Sequence, residues 1–333
     1  MIGSAQAQPT EPAATFFGLP RVTLDEIPRQ GLHTVLVGAG SSLGSALDGA
    51  QNGPFFLRAL SKAHTWSAER PTVLTLQDHA QNPLAGGADL GDLDLEGQNL
   101  PDVLGALEAT VATLASNGVV CGVVGGDHSL TLGAVRALHR ARQRPFKVVQ
   151  FDHHLDLQTW GTPGPTPARR DDVFNTNVMS HIADLLGPGC LVQVGVDPYT
   201  TVELANRAAV EAHLAEVGEQ VSLFSRKLSV PRAVAQVVGT AGDVYVSVDV
   251  DVLESAAMSS TGYPAEVGLR VNELTALIDA VLESHRLIGF DVMEFATPRT
   301  ARDAKTLADG CRANLVLLRL LGWASRQAAA CPR

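Results

Sequence analysis

The sequence predicts an α/β fold with three layers, α-β-α, around a mostly parallel sheet of about eight strands. Three observations lead there. From residue 119 onward, short Val-rich apolar runs alternate with helix-length segments, the pattern of repeated βαβ units. Those runs are apolar on both alternating positions, as strands covered on two faces are. Acids and histidines then gather where several runs stop, at the carboxyl ends of strands, the edge at which open parallel sheets place their function.

In chain order, residues 1–20 are rich in Ala, Gln, Pro and Thr and read as a disordered tail. Residues 21–333 read as one domain, since no linker divides them. A strand over 32–37 ends in Gly38-Ala39-Gly40-Ser41-Ser42-Leu43-Gly44. No acid follows about twenty residues later to hold a ribose, so a plain glycine loop fits better than a dinucleotide-binding turn. A helix over 54–62 and a strand over 72–76 come next, then strand-like alternation in Gly91-Asp92-Leu93-Asp94-Leu95. Pro101 stands at a first helical position, residues 103–116 have helical periodicity, and Asn117-Gly118 closes that helix.

The regular alternation then runs to the end of the chain. Strands are expected at 119–124, 147–151, 191–196, 221–224, 243–248 and 287–292. Helices are expected from about 130 to 142, at 178–186, 201–217, after Pro231, at 271–284 and from about 301 to 329. A long loop rich in Pro and Gly occupies 159–172.

Three strand ends carry the candidate chemistry: Gly125-Gly126-Asp127-His128-Ser129, Asp152-His153-His154-Leu155-Asp156 and Asp249-Val250-Asp251. In extended backbone Asp152, His154 and Asp156, at i, i+2 and i+4, lie on one side. Together His128, His154, Asp152, Asp156, Asp249 and Asp251 form an oxygen-rich donor set with some imidazole. That mix suits a pair of Mn²⁺-like ions better than zinc held by thiolates. Burying these carboxylates together without cations would cost several kcal/mol.

Composition narrows the partners. A net charge of −10 and a pI near 5.4 argue against nucleic acid and anionic membrane surfaces. The four cysteines form no CxxC pair, which points to a reduced, cytoplasmic setting. No secretory signal and no membrane-length apolar stretch is present.

The three motifs, in their order and spacing, resemble the ureohydrolase family of arginases, agmatinases and formiminoglutamases, whose fold is shared with deacetylases. Asn52-Gly53-Pro54-Phe55-Phe56-Leu57-Arg58, Gly91-Asp92, Thr261-Gly262-Tyr263-Pro264, Gly268-Leu269 and Gly289-Phe290-Asp291-Val292-Met293-Glu294 are similar to further segments of that family. The resemblance implies a site for two Mn²⁺, with Ni²⁺ as an alternative. His128, Asp152, Asp156 and Asp249 would hold one ion, and His154, Asp152, Asp249 and Asp251 the other. It implies a small guanidino substrate cleaved to release urea, with Glu294 accepting hydrogen bonds from the guanidinium. It also implies a homo-oligomer, a trimer or hexamer.

Several positions depart from the family pattern. His153 replaces a small residue, and strand alternation points it away from the ions. Glu254-Ser255 and Ser259-Ser260 replace Asp-Pro and Pro-Gly. No His follows Asp156 where arginases and agmatinases place a proton-shuttling His-Gly. Gln158 stands where arginases carry an Asn that reads the α-carboxylate. The segment Asn175-Thr176-Asn177-Val178-Met179-Ser180-His181-Ile182 resembles the start of a family helix, with Asn175 or Asn177 near the loop and His181 on the helix. The proton-transfer residue is left unassigned. An agmatine-like substrate is expected, with arginase or formiminoglutamase activity as alternatives. A single-zinc deacetylase-like protein and a non-catalytic relative are the readings outside that class.

Overall fold

The structure, a computed structural model, describes residues 14–62, 82–142, 144–157, 172–187, 189–196, 221–224, 231, 238–239 and 242–330. The expected strand at 72–76, loop at 159–171, helix at 201–217 and most of the helix after Pro231 lie outside them, as does Gln158.

In chain order the elements are β1 (Thr34–Ala39), α1 (Gly53–Ser61), β2 (Gly87–Asp92), α2 (Leu100–Ser116), β3 (Val120–Gly125), α3 (Thr131–Ala141) and β4 (Phe146–Phe151). There follow α4 (Val178–Leu186), β5 (Leu191–Val194), β6 (Val221–Phe224), β7 (Asp243–Asp249), α5 (Val271–Leu282), β8 (Arg286–Met293) and α6 (Ala304–Ala330). The strands form one eight-stranded sheet in the order β2-β1-β3-β8-β7-β4-β5-β6. Every pairing is parallel. Sheet and strand number match the expectation.

The period of two along each strand explains the layers. Val149 and Phe151 of β4, Val246 and Val248 of β7, and Phe290 and Val292 of β8 face one cluster, with α1, α5 and α6. Val148, Tyr245 and Ile288 face the opposite cluster, with α2, α3 and α4. Local signals set the helix ends. Asn99 Oδ1 accepts from Asp102 N–H at 3.0 Å to cap α2, and Gly118 at φ 67° turns the chain beyond it.

Two expectations shift. The strand expected at 91–95 lies at Gly87–Asp92, because Asp89 and Leu90 are held inside the fold. The tail expected over residues 1–20 does not extend to 20. Phe16, Phe17 and Leu19 are buried, and Phe16 N–H donates to Asp89 Oδ2 at 2.7 Å. Sequence composition masked the two phenylalanines that anchor this stretch.

The same Asp89 explains the segment ending in Arg58. The Arg58 guanidinium, almost wholly buried on α1, donates to Asp89 Oδ2 at 2.9 Å and to Asp92 Oδ1 at 2.6 Å. Its carbon also stacks 4.3 Å from the Phe16 ring centroid. Burial opposes the charge, but the two carboxylates outweigh it and raise the Arg58 pKa. The Gly-Asp element and the arginine are therefore one ion-pair network joining α1 to the β2 edge.

Candidate metal centre

The sheet delivers the three acidic motifs to one edge through four adjacent strands. His128 follows β3, the Asp152–Asp156 segment follows β4, Asp249 ends β7 and Glu294 follows β8. Two donor groups form there: His128, Asp152 and Asp156 in one, Asp152, His154 and Asp251 in the other. Asp152 is common to both. Its Oδ2 lies 3.1 Å from His128 Nδ1, and its Oδ1 lies 3.7 Å from His154 Nδ1. Asp156 Oδ2 is 2.9 Å and Asp249 Oδ2 3.3 Å from His128 Nδ1, while Asp251 Oδ2 is 3.1 Å from His154 Nδ1. Asp249 thus stands against the first group, and its Oδ1 accepts from Asp251 N–H at 2.9 Å.

The residues fit divalent metal on a specific observation. His128 Nδ1 is buried, has no hydrogen bond, and faces three carboxylate oxygens. Its other nitrogen is committed: Nε2–H donates to Ser247 Oγ at 2.9 Å, and Ser247 donates to Asp291 Oδ1 at 2.7 Å. Tyr245 and Thr131 hydroxyls fill Asp291 Oδ2 at 2.7 and 2.8 Å. This chain commits Nε2 as a donor, so Nδ1, among the acids, is the nitrogen able to coordinate a metal.

Burial and mutual repulsion dominate the electrostatics of these acids. Burial and then the neighbouring Asp152 charge raise the Asp156 and Asp251 carboxyls to about 7. Burial, with Asp251 and Asp152 beside it, pushes Asp249 well above the usual carboxylate range. Burial works against a charged His154, yet the Asp251 and Asp152 carboxylates raise it to about 10. Bound metal charge would offset this repulsion.

Glu294 stands beside this cluster, nearly buried. Its Oε1 accepts from His128 N–H at 2.9 Å and from Asn175 Nδ2 at 3.1 Å, leaving Oε2 without a hydrogen bond among the described residues. Burial, then the Asp249 and Asp127 charges, raise its carboxyl to about 8. Asp156 and Glu294 hold left-handed backbone, φ 49° and 63°, a conformation costing roughly 1–3 kcal/mol each. Both strained acids are at the site.

The glycine loop after β1 belongs to this wall. Gly44 N–H donates to Asp127 Oδ2 at 2.9 Å, and Asn175 N–H donates to Gly44 O at 2.9 Å. A Cβ on Gly126 would lie 1.8 Å from Ser41 O, so only glycine lets the two turns meet.

Of the residues read from sequence, His153 belongs to neither donor group. Asn177 turns to its own loop, accepting from Phe174 N–H at 2.7 Å. His181 Nε2 lies 3.1 Å from Asp172 O, and His181 too is absent from both donor groups. Sequence reading passed over Ser247, Asp291, Gln150 and the Asn175–Glu294 contact. Gln150 Nε2 donates to Asp152 Oδ2 at 2.5 Å. Gln150 and Ser247 each sit two residues before a ligand-type Asp on an otherwise apolar strand, and strand alternation was a signal able to find both.

Carboxylates this crowded, with imidazoles aimed among them, belong to a protein that handles small molecules through divalent metal. The arginase family model matches residues 32–318, and the chain belongs to that family. It is a hydrolase of carbon–nitrogen bonds in amidino or guanidino groups. A guanidinopropionase of Pseudomonas aeruginosa is 30% identical, covering 95% of this chain and 93% of that one. An agmatinase of Edwardsiella ictaluri is 28% identical over 88% of this chain and 91% of its own. Proclavaminate amidinohydrolase from Streptomyces clavuligerus, a solved structure 24% identical, shares the fold with a TM-score of 0.74 over 95% of this chain and 98% of that one. Among the described residues no helix is long and apolar enough to cross a membrane.

Proposed function

We propose that the chain is a binuclear, manganese-dependent amidinohydrolase that cleaves a small aliphatic guanidine, agmatine in preference to arginine, and releases urea. The observation that carries it is Asp152, whose two oxygens face two different imidazoles, each with its own further carboxylate. His128, Asp152, Asp156 and Asp249 would hold one ion, and Asp152, His154, Asp249 and Asp251 the other. Bound there, the ions would supply Lewis acidity and a lowered pKa for water.

The chain's own groups do the positioning. Glu294, with Oε1 held by His128 N–H and Asn175, offers Oε2 to a guanidinium N–H, a charge-assisted contact that orients the central carbon. A guanidinium there would favour the ionised form of this carboxyl, which burial raises to about 8. The Ser247–Asp291 pair keeps His128 in its ligand tautomer throughout.

The test is a urea-release screen across agmatine, arginine, formiminoglutamate and guanidino acids, with metal counted on the same sample. Urea from agmatine with two Mn²⁺ per chain is the expected result. One tightly held zinc per chain, or intact guanidines at full manganese loading, would overturn it.

A further inference from the structure

Four fully buried polar side chains stand in one row across the sheet. Gln193 on β5 is the register partner of Gln150 on β4, Gln150 of Ser247 on β7, and Ser247 of Asp291 on β8. Register partners in a parallel sheet share a face, so the row forms a polar floor one pleat behind Asp152 and Asp249. Burying primary amides among Val-rich strands is costly unless each is hydrogen-bonded. The Ser247–Asp291 end of the row serves His128. The end made by the two glutamines serves a different residue.

Their bonds run in one direction. A carboxylate only accepts, so Gln150 presents its amide nitrogen, and Nε2 donates to Asp152 Oδ2 at 2.5 Å. Gln150 Oε1 is then left to accept, which it does from Gln193 Nε2 at 2.5 Å. Gln193 Nε2 also donates to Leu155 O, the carbonyl just before the left-handed Asp156. Gln193 Oε1 is buried without a hydrogen bond among the described residues. Turning that amide over would set its oxygen against two acceptors, so the unpaired group stays at the end farthest from Asp152.

Resting on the metal centre proposed above, we infer that Gln193 and Gln150 form an amide relay that sets the Asp152 carboxylate for metal and ties it to the turn at Asp156. Both are positioning residues that act through Asp152. Gln150 holds Oδ2, the oxygen 3.1 Å from His128 Nδ1, while His154 N–H donates to Oδ1 at 2.6 Å. With a donor on each oxygen the carboxylate plane is fixed, and each oxygen keeps to its own imidazole. Gln193 joins that plane to the Asp156 turn through Leu155 O, so one side chain on β5 sets the spacing of two acids that follow β4.

The experiment titrates the full-length chain with Mn²⁺ by calorimetry in wild type, Gln150→Met, Gln193→Met and the double variant. Met keeps the side-chain length and removes the amide. Denaturant unfolding of each metal-free protein, and electron paramagnetic resonance at saturating Mn²⁺, are measured alongside. Gln150→Met should weaken both binding steps about 10–100-fold, because Asp152 belongs to both donor groups. Gln193→Met should weaken both by a smaller factor. The double variant should lose less than the product of the single losses, since Gln193 acts on Asp152 through Gln150. Spin coupling between the ions should change in both single variants. Lower unfolding stability with unchanged Mn²⁺ affinity and coupling makes the amides merely structural and overturns the relay, as does a double loss equal to the product. If Gln150→Met does not fold, Gln193→Met decides alone, and unchanged affinity in it overturns the relay. Absence of urea from every guanidine sinks the hydrolase reading and leaves these binding results standing. A single step in wild type sinks the two-ion reading, and the relay is then judged on that step.

Discussion

Replacing Ser247 by Ala tests one position of the proposed two-ion centre. Ser247 Oγ is the acceptor of His128 Nε2–H at 2.9 Å, in a fully buried setting. Its loss strands that N–H, which costs about 1–3 kcal/mol of stability. Asp291 is not stranded, because the Tyr245 and Thr131 hydroxyls and Val248 N–H still donate to it. The damage therefore falls on the orientation of His128. Removing such an outer partner lowers metal affinity about 10–100-fold, or about 1.4–2.8 kcal/mol at 1.4 kcal/mol per decade. His128 belongs to the donor group with Asp156 and not to the one with His154 and Asp251. Manganese titration by calorimetry should show one of two binding steps weakened and the other kept. Tyr245→Phe removes a donor from Asp291 without touching His128, so it should lower stability and leave both steps in place. Equal weakening of both steps in Ser247→Ala, or none, would refute the reasoning.

Asp249→Ala should abolish urea release and reduce metal content at both positions, because this carboxylate faces His128 and braces Asp251; full metal by plasma emission would rule out a shared role. Arg58→Met should cost about 3–5 kcal/mol in denaturant unfolding, since it leaves Asp89 buried without its cation; a change below about 1 kcal/mol would show the network to be dispensable. The metal-free protein should lose stability as pH rises. Burial and neighbouring acids raise Asp156 and Asp251 from 3.8 to about 7 and Glu294 from 4.5 to about 8, so the folded chain holds more protons than the unfolded one. Their contribution is complete below about 4 and vanishes as pH passes through about 8, and His154, raised from 6.5 to about 10, adds in the same direction. Added Mn²⁺ should stabilise most at the alkaline end and release protons on binding; an apo unfolding midpoint that is flat or rising between about pH 5 and 8 would contradict this.

The donor residues were legible because a ligand motif at a strand end is local: Asp152, His154 and Asp156 need only the period of the backbone to share a side. The parallel sheet was legible for the same reason, from runs of Val and their spacing. The Ser247–Asp291 link and the Asn175–Glu294 contact were not. Each joins elements distant in sequence, β7 to β8 in one case and the loop before α4 to the end of β8 in the other. Such contacts follow from register, Ser247 opposite Asp291, which no single strand encodes. The anchoring of Phe16 likewise depended on a buried Asp89 many residues away. Alternation kept His153 out of the expected ligand set, and it belongs to neither donor group.

The order of strands sets when the centre can come into being. β8, drawn from the last fifth of the chain, lies between β3 and β7 and, within the sheet of the described residues, joins the β2-β1-β3 half to the β7-β4-β5-β6 half. Until it is inserted, His128 on one half and Asp152, Asp156 and Asp249 on the other are not joined through the sheet. On a growing polypeptide β8 leaves the ribosome after every ligand-type residue has already been made. Both halves must wait for it, and long-range parallel pairing of this kind is slow. Metal capture is thus expected to trail backbone synthesis and to coincide with closure of the sheet.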